Sequence, residues 1–322
     1  MSVVVTGANG FVGRHLIKKL RQLRGSFGEV ITVSRKHFRS PYSDRHYRCD
    51  LGISDISKPE FACLKFVYNH HNPSHVFHLA SKATVKMKGT DPFDIIQDNI
   101  LSTQKICQWA PKGAKVILAS SVIVYGDWIF EQDSSDFPAR EARPYIEKDR
   151  TEPTSIYGMT KRASESILNY HIGTGKISGV SARMCATVGH GLTHGVVYDF
   201  IRKIKNNPVL EALGGYPGST KPYCHIDDVT DALVLMGLKS DTERYYNIVP
   251  NDLINIEQVA KAVMKGMGVE KEIAWLGDES NWSGDNNIIS TSNTKLKSTG
   301  WQNKYNSKEA IIKAVQEIVK EN

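Results

Sequence analysis

The sequence predicts an α/β fold, a doubly wound parallel sheet with a smaller C-terminal α+β domain, and three observations lead there. Short β-branched runs alternate with longer helical patterns through the first half of the 322 residues, an order that covers both faces of a parallel sheet with helices. The runs VVVT, VFHLA and KVILAS are apolar almost throughout, as in strands buried on both sides. Beyond about residue 186 the alternation stops, and loops rich in Gly, Pro and His such as TVGHGLTHG and LGGYPGSTKPYCHIDD take over.

In chain order, Val3–Thr6 is expected as a strand, Phe11–Leu23 as a helix, and Val30–Ser34 and His75–Ala80 as strands. A helix over roughly Asp91–Ala110, a strand over Lys115–Ser120 and an amphipathic helix over Ile156–Tyr170 follow, with a periodic helix near the end at Ser307–Val319. The expected division is one domain of residues 1–188 plus about 224–250, and a smaller one of 189–223 and 251–322.

Hydrophobic residues at 40% and charged residues at 23% suit a globular chain rather than a disordered one. No apolar run approaches a membrane span, so no membrane partner is expected. The opening MSVVVTGANG enters a strand-like run without a basic n-region, and no secretory signal is expected. Five cysteines, at 49, 63, 107, 185 and 224, form no CxxC pair and are odd in number. They argue against a disulfide framework or a zinc site and for a reducing, cytoplasmic setting. The net charge of +7 comes from scattered basic residues without aromatic interleaving. That pattern argues against nucleic acid and suits an anionic small molecule.

The segment VVVTGANGFVGRHLIKKL sets Gly7, Gly10 and Gly13 between a strand and a helix, as a dinucleotide-binding turn requires. Gly7 permits the tight turn, Gly10 lets the backbone approach a pyrophosphate, and Gly13 lets the helix pack close to the strand. The helix N-terminus then offers N–H groups to the phosphates. At the end of the second strand an acidic residue would bind the adenosine ribose, whereas a basic neighbourhood accommodates a 2′-phosphate. Ser34 stands there, followed by Arg35 and Lys36, which favours NADP over NAD; the alternative is a plain solvated loop. Asp50, in CDLGISD, can accept from an adenine amino group or serve only as a turn residue.

In SIYGMTKRASESIL, Tyr157 and Lys161 stand one helical turn apart, a spacing that alone carries little information. Upstream, LASSVIVYGD ends a buried strand in Ser120 and Ser121, where ligands of open α/β sheets bind. A phenol of ordinary pKa about 10 is a poor base at neutral pH. A neighbouring ammonium and an oxidised nicotinamide would lower that pKa, and a serine hydroxyl would hold the substrate oxygen.

Taken together, these motifs resemble the extended short-chain dehydrogenase/reductase family, in its nucleotide-sugar epimerase/dehydratase branch. The resemblance runs through TGANGFVG, VFHLAS, DNILST, SSVIVYG, the Tyr157-x-x-x-Lys161 pair, SARMCATVGHG, KPYCHIDDV, YYNI, WSGD and STGW. It implies a Rossmann-type domain followed by a sugar-nucleotide domain, with Ser121, Tyr157 and Lys161 as catalytic triad and Asn99 in support. It also implies cofactor contacts at Asn9, Phe11, Val12, Leu51, Leu79, Ala80, Ser81, Asn99, Tyr157 and Lys161, beside those already named. Substrate contacts would come from Ser121, Val122, Lys221, Tyr223 and Asp285.

Dehydratases and decarboxylases of this branch carry carboxylates just after the catalytic Ser or Thr. Here Val122 and Ile123 occupy those positions, and neither can transfer a proton. Lys221 stands where the branch commonly has an arginine, so it would meet a phosphate as a point charge.

The resemblance points to a nucleotide-sugar epimerase, most simply a UDP-hexose 4-epimerase, using NAD(P) and a nucleotide-diphosphate sugar. The alternative is an NADPH-dependent reductase of a nucleotide-linked 4-keto sugar. The ribose loop favours NADP, whereas an epimerase favours NAD. A non-catalytic dinucleotide-binding protein is opposed by the intact Ser, Tyr and Lys. A homodimer through the helices near 91–110 and 156–170 is what the family implies. The histidines at 70, 71, 75 and 78 are read as loop and strand residues rather than metal ligands, and no metal is expected. Trp282 and Trp301 are read as core of the small domain.

Overall fold

In the computed structural model, which describes residues 1–55, 57–83, 91–126, 143–240, 242–277 and 287–320, Ser2–Thr6 forms strand β1 with all five residues buried. Helix α1, Phe11–Gln22, turns Gly13, Leu16, Ile17 and Leu20 inward, the i, i+3, i+4, i+7 stripe its sequence carries. A single turn, α2 (Arg24–Phe27), leads into β2 (Glu29–Ser34) and β3 (Arg45–Arg48). Next come α3 (Pro59–His71), β4 (His75–His78), α4 (Pro92–Ile96), a π-helical segment (Gln97–Leu101), α5 (Ser102–Trp109) and β5 (Lys115–Ser121). A 3-10 turn (Val122–Tyr125), α6 (Ile156–Gly173), β6 (Ser178–Met184), β7 (Ala186–Val188) and α7 (Val196–Asn206) follow. The remainder supplies β8 (Leu210–Ala212), β9 (Thr220–Lys221), β10 (Tyr223–His225), α8 (Ile226–Leu238), β11 (Tyr245–Ile248), β12 (Ile254–Asn255), α9 (Ile256–Met267), β13 (Ile273–Trp275), α10 (Thr294–Lys297) and α11 (Ser307–Lys320).

Seven strands make one sheet in the order β11–β6–β5–β4–β1–β2–β3. The β1–β2, β2–β3, β1–β4 and β4–β5 pairings are parallel, with Val4 opposite both Ile31 and Val76. Strand order runs from β1 to β3 on one side and through β4 to β6 on the other. The winding therefore reverses between β1 and β4, and ligands of open α/β sheets bind at such a reversal. One core under this sheet joins Val4, Ile31, Val76, Val116 and Leu118 to Leu64 and Val67 of α3, Ile106 of α5 and Leu168 of α6.

The chain divides into two compact units. The first comprises Met1–Ser121, Ile156–Arg183 and Val229–Tyr246; the second comprises Val122–Ser155, Met184–Asp228 and Asn247–Asn322. Within the second unit, β7 pairs with β10 and β8 with β13 in parallel, and β9 pairs with β12 antiparallel. Trp301 is buried there and donates its indole N–H to the Asp228 carbonyl, a core position. Trp282 lies outside the described residues.

Three local expectations change. The helix expected over Asp91–Ala110 is interrupted by the π segment at Gln97–Leu101, which re-aims Asn99. Residues His70 and His71 are the last turn of α3, not a loop, and the helix stops at Asn72 in a left-handed conformation (φ 44°) ahead of Pro73. Its sequence hides this, because Phe66 is exposed and no one-sided apolar stripe results. Finally, Cys49 is disulfide-bonded to Cys63 on α3, with Cα atoms 5.8 Å apart. An odd cysteine count excludes only complete pairing; Cys107, Cys185 and Cys224 are free and buried. Among the described residues no helix is long and apolar enough to cross a membrane.

Candidate active site

The glycine turn sits at the C-terminal end of β1. Gly7 has φ 68°, and a Cβ on it would lie 2.6 Å from the Ala80 backbone nitrogen. Only glycine allows both that conformation and that approach. Leu79 N–H donates to the Thr6 carbonyl and Ala80 N–H to Thr6 Oγ1, so the ends of β1 and β4 are tied together. Helix α1 begins at Phe11 with no side-chain cap and no acidic residue in its first turn. The backbone N–H groups of Phe11, Val12 and Gly13 are thus left for an anion. Arg14 donates to the Asn9 carbonyl at 3.0 Å and to Asn9 Oδ1 at 2.6 Å, fixing the turn.

At the end of β2, Ser34 Oγ donates to the Lys36 carbonyl. The Arg35 guanidinium meets Asp98 Oδ2 at 3.0 Å while remaining largely exposed. Asp50 Oδ1 accepts from the Gly52 backbone N–H at 3.0 Å, and Leu51 is part of the sheet's core.

Asn99, buried in the π segment, joins three elements. Its Oδ1 accepts from Ser81 Oγ and the Lys82 N–H, and its Nδ2 donates to Thr160 Oγ1 on α6 at 2.9 Å. Its carbonyl accepts from Ser102, Thr103 and Ser164. Beside it His78 is buried, with Thr6 Oγ1 2.8 Å from Nδ1. Burial and then the Lys161 charge push the His78 pKa down to about 3, so this ring is neutral at physiological pH.

Ser121, Tyr157 and Lys161 come together in the first unit. Helix α6 starts at Ile156, and Tyr157 and Lys161 share one face of its first turns. The Tyr157 phenol is hydrogen-bonded to Ser121. Lys161 Nζ lies 5.7 Å from the Tyr157 ring centre and donates to the Ala119 carbonyl at 2.7 Å. Burial lowers the Lys161 pKa to about 8, with Glu165 acting in the opposite direction. Burial pushes the phenol up, to about 12, against the lowering effect of the Ser121 hydrogen bond. The Lys161 ammonium is directed at a backbone carbonyl, and the phenol is moved here by burial and by Ser121.

Of the other predicted substrate residues, Val122, Lys221 and Tyr223 belong to the second unit. Val122 is buried in the 3-10 turn with Ile123. Lys221 lies in β9 opposite Ile254, and Tyr223 is buried in β10 with its N–H donating to Ser307 Oγ. Asp285 lies outside the described residues. Among the described residues no group of three or more His, Cys, Asp or Glu is arranged to hold a metal ion.

Sequence reasoning passed over Glu165 and Thr160. Both are buried on α6, one turn after Lys161 and three residues after Tyr157 respectively. A carboxylate at the position that continues the 157–161 stripe was the available signal.

A family model described as the NAD dependent epimerase/dehydratase family matches residues 3–249. The chain belongs to that family. UDP-glucuronate 4-epimerase 2 of Arabidopsis thaliana is 28% identical over 245 residues, covering 71% of this chain and 52% of its own length. The chain thus spans about half the length of the curated relatives it matches. Among solved structures, a UDP-galactose 4-epimerase superposes with a TM-score of 0.79 at 26% identity, covering 100% of this chain and 99% of that one. MoeE5 in complex with UDP-glucuronic acid and NAD superposes with a TM-score of 0.81 at 25% identity, covering 100% of both chains.

The residues present fit the dinucleotide that this family takes. Uncapped helix N–H groups, a glycine turn that tolerates close approach, and a strand reversal beside them suit a pyrophosphate between two nucleosides.

Proposed function

We propose that the chain is a nucleotide-sugar epimerase of the UDP-hexose 4-epimerase type. The observation that carries this is the assembly at the end of β5, where half-buried Tyr157 meets buried Ser121 and buried Lys161 sits anchored one turn behind. In it, Tyr157 takes the proton from the C4 hydroxyl of the sugar and later returns it. Ser121 holds that oxygen as its charge develops, and Lys161 supplies a fixed positive charge nearby. Oxidised nicotinamide, which Ser81, Asn99 and Lys161 would border, would supply reversible hydride exchange with the C4 carbon of the sugar. Val122 and Ile123 give no group that could move a proton at the neighbouring carbon, which disfavours water elimination.

Gly7, Gly10 and Gly13 with the N–H groups of α1 would hold the pyrophosphate, and Ser81, Asn99 and Lys161 would border the nicotinamide ribose. Val122, Lys221, Tyr223 and Asp285 would meet the UDP-sugar. We infer NAD as the working cofactor, because Arg35 is engaged by Asp98 and MoeE5 was solved with NAD. One-way reduction with NADPH loses its main support with that engagement. The setting is proposed as cytoplasmic on the three buried free thiols, although the Cys49–Cys63 bond runs against it. The homodimer is proposed through exposed Phe93 and Ile96 of α4 and Met159 and Tyr170 of α6.

Incubation with UDP-glucose or UDP-glucuronic acid, followed by NMR of the anomeric and C4 signals, tests the activity. The galacto epimer should appear, and Tyr157→Phe should lower kcat by about 10²–10⁴ with NAD affinity preserved. Full activity in Tyr157→Phe would overturn the assignment.

A further inference from the structure

Three consecutive residues at the end of β5 each hold one residue of a stripe on α6. The Ala119 carbonyl accepts from Lys161 Nζ at 2.7 Å, Ser120 Oγ donates to Glu165 Oε1 at 2.6 Å, and Ser121 is hydrogen-bonded to Tyr157. Positions 157, 161 and 165 are spaced by four, so they stand one above another on the same helix face. The last of them is unusual. Glu165 is a fully buried carboxylate (0% exposed), and Arg183 of β6 (2% exposed) clamps it through Nε at 2.9 Å and Nη2 at 2.8 Å. The Arg183 guanidinium in turn lies 4.2 Å from the Tyr245 ring centre.

A buried ion pair of this kind contributes little net stability compared with apolar packing, which leaves its position beside Lys161 to be explained. The surroundings of Lys161 contain few other charges. On its own helix are Tyr157, Glu165 and Arg162, which donates to Ser166; on β4 is His78, held neutral; on β6 is Arg183, ion-paired with Glu165. Asp98 of the π segment is paired with Arg35, Asp94 of α4 with Lys82, and Lys105 of α5 donates to the Ile53 carbonyl. Among the described residues Glu165 is thus the carboxylate that opposes desolvation of the Lys161 ammonium, the same direction found for its effect on that group. With the carboxylate removed, two buried cations would remain. Arginine cannot shed its proton, but lysine can.

We propose that Glu165, held in place by Arg183 and Ser120, is a positioning residue that keeps Lys161 charged and turned toward the Ala119 carbonyl. It never touches substrate or cofactor. The proposal rests on Tyr157 acting as the base with Lys161 as its fixed charge.

The test uses the full chain loaded with NAD, and reads both the pH profile of kcat and the titration of Lys161 by lysine-selective ¹³Cε NMR. In Glu165→Gln the alkaline limb of kcat and the Lys161 midpoint should both move down by about one pH unit or more, while KM for the UDP-sugar changes less than about twofold. Glu165→Asp, which keeps the charge, should return both toward the wild-type values. Because Glu165→Gln takes the Glu165 charge from the buried Arg183, the double variant Glu165→Gln with Arg183→Met serves where the single one does not fold. A purely structural pair predicts that this double variant regains the wild-type profile; the proposal predicts that its limb stays displaced. A wild-type limb in either folded variant, or folding only when the charge is kept, overturns the proposal. Tyr157→Phe is run in parallel: activity surviving there would sink the base assignment itself, which is a different failure.

Discussion

Lys161 and Tyr157 are pushed in opposite protonic directions by the same cause. Burial disfavours the charged form of each, so the ammonium titrates early, at about 8, and the phenol late, at about 12. The proposed reaction needs Lys161 protonated, and a lysine loses its charge as pH rises through its own pKa. Activity should therefore fall on the alkaline side with a midpoint near pH 8 in the kcat profile. A profile flat to pH 10 would show that the Lys161 charge is not used. His78, by contrast, should stay neutral, and its imidazole NMR signals should not titrate between about pH 5 and 8.

At the scale of the element, the turn between β1 and α1 is the least forgiving segment. Gly7→Ala would force a left-handed conformation on alanine and drive its Cβ against the backbone of β4. The expected cost is about 1–3 kcal/mol from conformation alone, with more from the collision. Thermal unfolding should register a lower Tm together with weakened NAD binding; an unchanged Tm would contradict the account of the turn.

The same segment was the most legible in the sequence, because glycine at fixed spacing after an apolar strand has few other uses. Tyr157 and Lys161 were legible for a related reason, their helical spacing behind a strand that ends in serines. Other features left no local trace. In the π segment, the Asn99 carbonyl accepts from Ser164 of α6, a long-range contact that no local pattern announces. The buried role of Glu165 depends on Arg183, eighteen positions along the chain and on strand β6. The upward push on the Tyr157 phenol comes from desolvation of its ring in the fold, which periodicity does not encode. Cys49 and Cys63 meet only because β3 and α3 lie side by side.

For the whole molecule, exposed Phe93, Ile96, Met159 and Tyr170 are more apolar surface than helices α4 and α6 need if they face water. Light scattering of the purified chain should give twice the monomer mass of 35.9 kDa, and Tyr170→Asp combined with Phe93→Asp should return it to one. A wild-type monomer would remove the proposed interface.

The measurement that bears most directly on the central claim follows deuterium placed at C4 of the UDP-hexose. If hydride leaves and returns within one bound complex, the epimer will carry the label at C4, with no net change in nicotinamide absorbance. Loss of the label to water, or its stoichiometric appearance in released NADH or NADPH, would contradict the proposed epimerase.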